Sequence, residues 1–140
     1  MRRMRGNSQH TVLIVDDDTV FCENESDVLS MFGFRVITTP SPDDCIGILE
    51  REKVDIILLD YRFERTSGIE IYERIKDGLE IPVIMVSAYC DPSVEDQFYS
   101  LGGELWMHKP FKTHELIQAI SAILGSTKET RRAVVASRNG

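Results

Sequence analysis

Acidic, hydroxyl and lysine side chains occur at the ends of four short apolar runs in this sequence. Three consecutive aspartates, Asp16–Asp18, follow the run TVLIV, and Asp60 ends the run VDIILLD. Ser87 ends a third run, PVIMVS, and Lys109 follows a fourth, LWMH. Carboxylates gathered at one place repel each other and need a counter-cation to remain ionised. Mg²⁺ meets this need because it binds oxygen ligands from a few carboxylates, waters and a phosphate.

These residue types together predict chemistry on a phosphoryl group. Asp60 would act both as a metal ligand and as a nucleophile toward phosphorus, while Mg²⁺ or Mn²⁺ neutralises the phosphoryl oxygens. Ser87 would donate its hydroxyl, and Lys109 would bring a mobile positive charge. Each residue alone has a simpler interpretation, with Asp18 as a helix cap, Ser87 as a turn residue and Lys109 as a solvated lysine. Four such groups at four strand ends are difficult to explain as turns.

The elements that would position these groups alternate between strand and helix patterns. Strands are predicted over residues 11–15, 34–38, 54–59, 82–86 and 105–108. Helices are predicted over residues 18–32, 41–52, 68–79, 93–101 and 113–124. In the first helix, the buried stripe is predicted to include Phe21, Val28, Leu29 and Phe32. Thr113 is predicted to cap the last helix and Gly125 to close it.

Five strands alternating with five helices predict an α/β fold with right-handed βαβ units and helices on both faces of one parallel sheet. In open sheets of this kind, functional groups gather beyond the carboxyl ends of the strands. The residues at the strand ends are therefore expected to meet at one edge.

Composition limits the classes of protein that fit. A chain of 140 residues, 42% hydrophobic and 28% charged, fits one globular domain. No apolar run approaches the ~20 residues that span a membrane, and the N-terminus is not expected to be a secretory signal. Cys22, Cys45 and Cys90 form no CxxC pair. They are expected to be reduced thiols in a cytoplasmic protein.

Charge is distributed unevenly along the chain. The formal net charge is −7, but residues 1–10 carry three arginines and no acid, and residues 126–140 are also net basic. The part between them is therefore strongly acidic. This argues against direct nucleic-acid binding by the domain.

The motifs at the strand ends resemble a known family. VLIVDDD, IILLD, Gly68 eight residues after Asp60, IPVIMVSA and HKPF are similar to the receiver domain of two-component response regulators. The resemblance covers about residues 11–125, which leaves residues 1–10 as a flexible basic segment and 126–140 as a tail or linker. It implies a flavodoxin-like, doubly wound (βα)5 fold with a central five-stranded parallel sheet.

The resemblance also implies roles for individual residues at the phosphorylation site. Asp60 would accept a phosphoryl group from a histidine kinase or a phosphotransfer protein. Asp16, Asp17, Asp60 and the backbone carbonyl of Arg62 would hold Mg²⁺ or Mn²⁺. The domain would assist only its own phosphorylation and dephosphorylation, so it is expected to be a signalling domain and not an enzyme.

Further residues would convert phosphorylation into a change of surface. Ser87 would be the switch hydroxyl, Lys109 the phosphate-contacting lysine with a cis bond to Pro110, and Phe111 the aromatic residue after that pair. Trp106 falls where the family has a rotating Tyr or Phe. Its movement would remodel the face of helix four, strand five and helix five, which would bind a downstream protein, an output domain or a second copy of the chain.

The sequence departs from the family pattern beside the phosphoacceptor. Phe63 and Glu64 stand where the family typically has Met-Pro, which removes a rigid φ angle and adds an anion. Our hypothesis is that Arg62 pairs with the phosphoryl oxygens or with Glu64, and that Tyr89 shields the site from water. These three residues would then modulate the lifetime of the phosphate.

Two other functions remain open on the sequence alone. Asp16 to Val20 also reads DxDxTV, which resembles haloacid-dehalogenase-type phosphatases, with Asp16 as nucleophile and Asp18 as general acid. Such enzymes need a further acidic pair beyond the lysine, where only Glu115 and Glu129 occur here. The other alternative is a receiver-shaped scaffold that is never phosphorylated.

Overall fold

A computed structural model describes residues 9–89 and 91–125. The tail predicted over residues 126–140 lies outside the described residues, as does most of the N-terminal segment predicted over residues 1–10. In the described part, no helix has the length and apolar character needed to cross a membrane. Cys22 and Cys45 are buried free thiols, and Cys90 is outside the described residues.

One sheet of five parallel strands forms the centre of the molecule, in the order β2-β1-β3-β4-β5. The strands are β1 (Thr11–Val15), β2 (Arg35–Thr39), β3 (Ile56–Asp60), β4 (Val83–Ser87) and β5 (Leu105–His108). Every residue of β1, β3 and β4 is buried. Their Ile-, Leu- and Val-rich runs suit strands that are covered on both faces.

Helices cover the two faces of the sheet. They are α1 (Thr19–Met31), α2 (Pro42–Arg51), α3 (Gly68–Ile75), α4 (Pro92–Ser100) and α5 (Thr113–Leu124). Buried residues of α1 and α5 pack with Val12 and Ile14 on one face, and those of α2, α3 and α4 pack with Leu13 and Val15 on the other. This alternation of neighbouring strand residues between two cores confirms the predicted doubly wound α/β fold.

The end of α1 differs from the prediction. Phe32, which we expected in the buried stripe, is 60% exposed, whereas Leu29 is fully buried. The helix ends at Met31, and Gly33 has a φ of 93°, a left-handed conformation that favours glycine. Because the chain turns here, Phe32 no longer follows the helical spacing that places Leu29 inside.

Other helix boundaries also differ from the prediction, most clearly the end of α3 and the cap of α5. α3 ends at Ile75 and continues only as one 3₁₀ turn, Lys76–Gly78, so it stops short of residue 79. Lys112, not Thr113, is the N-cap of α5. The Lys112 backbone N–H donates to Glu115 Oε1 at 2.8 Å, so a carboxylate three residues on replaces the expected threonine cap.

Gly68 fixes the position of α3 against the sheet. A Cβ atom on this residue would collide with the backbone carbonyl of Asp60 and with the sulfur of Met85. The Gly68 N–H also donates to the Tyr61 carbonyl at 2.6 Å. The absence of a side chain therefore lets the start of α3 lie directly against the end of β3.

Candidate functional site

Four neighbouring strands bring their carboxyl ends to one edge of the sheet. Asp16 directly follows β1, Asp60 ends β3, Ser87 ends β4 and Lys109 directly follows β5. Because β1, β3, β4 and β5 are adjacent and parallel, these four side chains form one group. The predicted convergence of the strand ends is present in the structure.

Three carboxylates lie at the centre of this group. Oxygen atoms of Asp16, Asp17 and Asp60 all lie within 4.8 Å of one another. Asp16 is 1% exposed and Asp60 7% exposed, whereas Asp17 is exposed to solvent. Two buried acids with an exposed third one open to solvent fit a hard divalent cation that keeps some of its waters.

The charge of Asp60 is unfavourable where it lies. Burial first and the neighbouring Asp16 second raise the pKa of its carboxyl from 3.8 to about 6, against the lowering effect of Lys109. One lysine therefore compensates only part of the acidic charge. A divalent cation at this position would supply the rest, so the three aspartates fit the metal expected from the sequence.

Lys109 lies among these acids. Its Nζ atom is 2.7 Å from Asp16 Oδ2 and 3.7 Å from Asp60 Oδ1. Burial acts against the charged lysine, but the hydrogen bond and charge of Asp16, with the charge of Asp60, raise the pKa of Lys109 above its ordinary value. The peptide bond between Lys109 and Pro110 is cis, as the family resemblance implied.

The backbone around β4 and β5 holds the other two groups. The Lys109 N–H donates to the Ser87 carbonyl at 2.8 Å, which ties the lysine to the end of β4. The Ser87 side chain is buried, and its oxygen accepts the N–H of Tyr89 at 2.9 Å. Ser87 is therefore both a hydroxyl at the site and a constraint on the following loop.

The structure supports the simpler interpretation of Asp18, that of a helix cap. Its carboxylate accepts the Phe21 N–H at 3.1 Å and caps α1. Its own backbone N–H donates to Asp16 Oδ1 at 2.9 Å. Asp18 thus orders the loop that presents Asp16, and its carboxylate is engaged at the start of the helix.

Aromatic rings and one arginine form a second group beside the acids. Tyr61 stacks on Tyr89 with ring centroids 5.3 Å apart, and the Arg62 guanidinium lies 4.2 Å from the centroid of the Tyr89 ring. Arg62 forms no ion pair with Glu64 among the described residues. The sequence prediction missed Tyr61, although its position directly after Asp60 was a usable signal.

Trp106 occupies an interior position next to this group. It is 4% exposed, and its ring lies 5.5 Å from that of Tyr61 and 5.9 Å from that of Phe98. Within the part of the chain that the structure describes, its indole N–H has no hydrogen-bond partner. The aromatic residue expected to rotate therefore lies inward, with one polar atom unsatisfied.

Phe21 is a second residue that the sequence prediction missed at this site. Its ring lies 4.1 Å from Lys109 Nζ, and Phe111 meets it edge-on at a centroid distance of 6.0 Å. We assigned Phe21 only to the buried stripe of α1. Its position five residues after Asp16, on the first turn of the helix, was the available signal.

Sequence comparisons place this arrangement in a family. The family model described as "Response regulator receiver domain" matches residues 12–121. The heme response regulator HssR of Staphylococcus saprophyticus is 35% identical over 114 residues, which are 81% of this chain and 51% of that protein. The phosphate regulon transcriptional regulatory protein PhoB of Pseudomonas aeruginosa is 32% identical over 84% of this chain and 52% of its own. The chain spans about half the length of these curated relatives.

Solved structures agree with this assignment. A CheY-like response regulator receiver domain from Methanospirillum hungatei matches with a TM-score of 0.82 at 23% identity, over 88% of this chain and 98% of that one. A response regulator from Thermotoga maritima matches with a TM-score of 0.77 at 26% identity, over 84% and 99% of the two chains. The first likeness concerns the fold alone. Because the family model covers most of the chain, this protein belongs to the response regulator receiver domain family.

Proposed function

We propose that Asp60 accepts a phosphoryl group from a histidine kinase or a phosphotransfer protein. Asp16, Asp17, Asp60 and the backbone carbonyl of Arg62 would hold Mg²⁺ or Mn²⁺. The observation that carries the proposal is the burial of Asp60 within 4.8 Å of two further carboxylates, with Lys109 Nζ 3.7 Å away. Turns and caps do not account for this grouping.

The reaction requires the ionised form of Asp60. Its pKa of about 6 leaves most of the carboxyl ionised at neutral pH. A carboxylate oxygen forms a bond to phosphorus while the bond from phosphorus to the histidine nitrogen of the partner breaks, and the imidazole keeps that electron pair. The bound cation would neutralise charge on the phosphoryl oxygens. Lys109 and the Ser87 hydroxyl would contact the oxygens that the cation leaves free.

Signal output would follow from the new charge on Asp60. A phosphoryl group brings about two negative charges and strong acceptor oxygens. The Ser87 hydroxyl would turn toward it and release the Tyr89 N–H. Tyr89 could then move relative to Tyr61, on which it stacks, and Tyr61 in turn contacts Trp106. The surface of α4, β5 and α5 would then bind a downstream protein, an output domain or a second copy of the chain. We propose that the protein acts in the cytoplasm.

The phosphatase alternative finds less support than the switch. It requires Asp18 as a general acid, but the Asp18 carboxylate caps α1. It also requires acids beyond Lys109, where Glu115 accepts the Lys112 N–H at the start of α5. It leaves the buried Asp60 without a role.

Mapping of the phosphorylated residue tests the proposal. Incubation with Mg²⁺ and acetyl phosphate, followed by peptide mapping, should place the label on Asp60. The label should be absent from Asp60→Asn and from protein kept in excess chelator. A label on Asp16 would instead indicate the phosphatase chemistry. A protein that takes no label from acetyl phosphate or from any histidine-phosphorylated donor would be a scaffold.

A further inference from the structure

The aromatic ring of Phe21 covers the ammonium group of Lys109. Nζ lies 4.1 Å from the ring centroid, within the distance at which the face of an aromatic ring attracts a cation. Phe111 meets the Phe21 ring edge-on, and Phe111 belongs to the loop that carries Lys109. The first turn of α1 thus contacts the loop after β5 twice, at Lys109 and at Phe111.

The lysine must keep its place while its acidic neighbours change partners. Its closest contact is Asp16, at 2.7 Å, and the distance to Asp60 is 1 Å longer. Under the proposed function, Asp16 would bind a divalent cation and Asp60 would gain a phosphoryl group. A lysine side chain has four rotatable bonds, so it leaves a site readily when its main ion pair weakens.

A further acid that could attract the Lys109 ammonium lies on α1, the helix that carries Phe21. Glu25 is one helical turn beyond Phe21, and its Oε1 atom is buried without a hydrogen-bond partner within the described residues. Burial raises the pKa of Glu25, and Lys109 is close enough to oppose that increase. A lysine released from Asp16 would be attracted toward this carboxyl. The ring of Phe21 attracts the ammonium without competing for the phosphoryl oxygens.

We propose that Phe21 is a positioning residue that holds the Lys109 ammonium beside Asp60 through phosphoryl transfer. This inference rests on the proposed function. The ring acts through Lys109 and does not touch the reacting atoms. Because the attraction comes from the face of the ring, an aliphatic side chain of similar size should fill the space without replacing the effect.

Three variants of the full chain separate positioning from packing. Phe21→Leu keeps an apolar side chain and removes the ring, and Phe21→Tyr keeps the ring. Phe34→Leu is the matched control, because Phe34 is a half-buried phenylalanine of the same core face at the opposite end of α1. Urea unfolding of each variant records any loss of stability.

The first measurement is the affinity for beryllofluoride in Mg²⁺, followed through the single tryptophan. Phe21→Leu should weaken binding by roughly 3- to 30-fold, the range of a partly desolvated cation–π contact, and slow labelling by acetyl phosphate similarly. Phe21→Tyr should restore both values, and Phe34→Leu should leave both unchanged. Equal affinities and labelling rates in Phe21→Leu and the native protein would overturn the proposal.

The second measurement does not depend on phosphorylation. In NMR spectra of metal-free protein, the Lys109 Cε protons should show an upfield ring-current shift that persists in Mg²⁺, remains in Phe21→Tyr and is absent from Phe21→Leu. Loss of this shift when Mg²⁺ binds would overturn the proposal, because the lysine would then leave the ring. If native protein takes no label at all, the proposed function fails and the role of Phe21 in transfer fails with it.

Discussion

Asp60 is destabilising where it lies, and this follows from its surroundings. It is 7% exposed, its acidic neighbour Asp16 is also buried, and the ammonium of Lys109 is closer to Asp16 than to Asp60. Burial of a charge without a full partner costs free energy unless the group is neutralised. The buried carboxylate of Asp60 thus lowers the stability of the metal-free domain, and the same carboxylate is available to bind a cation and a phosphoryl group.

The pKa of Asp60 predicts how stability depends on pH. The carboxyl has a pKa of about 6 in the folded protein and 3.8 as its ordinary value, so between these values the folded state binds more protons. Its contribution to stability is therefore present below pH 3.8 and is lost as the pH rises through about 6. Asp60→Asn should be more stable than the native protein by about 1–3 kcal/mol at neutral pH, in chelator.

Urea unfolding of both proteins across this pH range, in chelator, measures the effect. The difference in unfolding free energy should shrink as the pH falls toward 4, and Mg²⁺ should reduce it at neutral pH by stabilising only the native protein. Asp96→Asn, at an exposed position on α4, should follow the native curve. Curves for native protein and Asp60→Asn that stay parallel from pH 4 to 8 would contradict this account of Asp60.

At the scale of elements, the loops after β3 and β4 are joined across the site. Arg62 and Tyr61 belong to the first loop, and both contact the ring of Tyr89 in the second. The Tyr89 hydroxyl donates to Asp91, the N-cap residue of α4. The three side chains therefore bridge the phosphoacceptor loop to the start of α4, next to the Ser87 hydroxyl.

We expect these contacts of Arg62 and Tyr89 to lengthen the lifetime of the phosphoryl group on Asp60. If Arg62 and Tyr89 restrict the approach of water, Arg62→Ala should speed phosphate loss from Asp60 by about 2- to 5-fold, the value of one exposed cation–π contact. Arg65→Ala, an exposed arginine in the same loop, is the matched control and should not change the rate. The measurement is the decay of labelled protein after removal of the donor. Identical decay in native protein and Arg62→Ala would exclude this role.

The sequence predicted the order and type of the elements because their patterns are local. The runs of β1, β3 and β4 and the start of α2 at Pro42 are readable from neighbouring residues, and the parallel sheet then places Asp16, Asp60 and Lys109 together. The inner contacts of the site were not readable. Whether Phe21 faces the core or Lys109, and whether Arg62 meets Glu64 or Tyr89, depends on side-chain directions across different elements. The exposure of Phe32 depends on the turn at Gly33.

Across the whole molecule, a chain of rings connects the acidic site to α3 and α4 on one face of the sheet. Tyr61 follows the phosphoacceptor, Trp106 lies on β5, and Phe98 lies on α4 in contact with both Trp106 and Tyr72. Closely packed rings do not shift independently of one another, because interiors of proteins contain few voids. A change at Ser87 and Tyr89 can therefore reach α4 and β5 through Trp106.

We expect a second position of the Trp106 ring, because its buried indole N–H has no hydrogen-bond partner among the described residues. A buried N–H without an acceptor costs about 1–3 kcal/mol, so a shift that gives it an acceptor or water is favoured. Phosphorylation would bias that equilibrium if the two positions differ in their contacts with Tyr61 and the Ser87 loop.

The fluorescence of Trp106, the single tryptophan, should report this transition. Mg²⁺ with beryllofluoride should change the emission intensity of the native protein, because the ring contact with Tyr61 changes. The emission maximum should shift little, since the indole starts at 4% exposure and remains among aromatic rings. Asp60→Asn should show no response. A large red shift would mean that Trp106 rotates into solvent on activation. An unchanged spectrum in phosphorylated protein would mean that Trp106 takes no part in the response to phosphorylation.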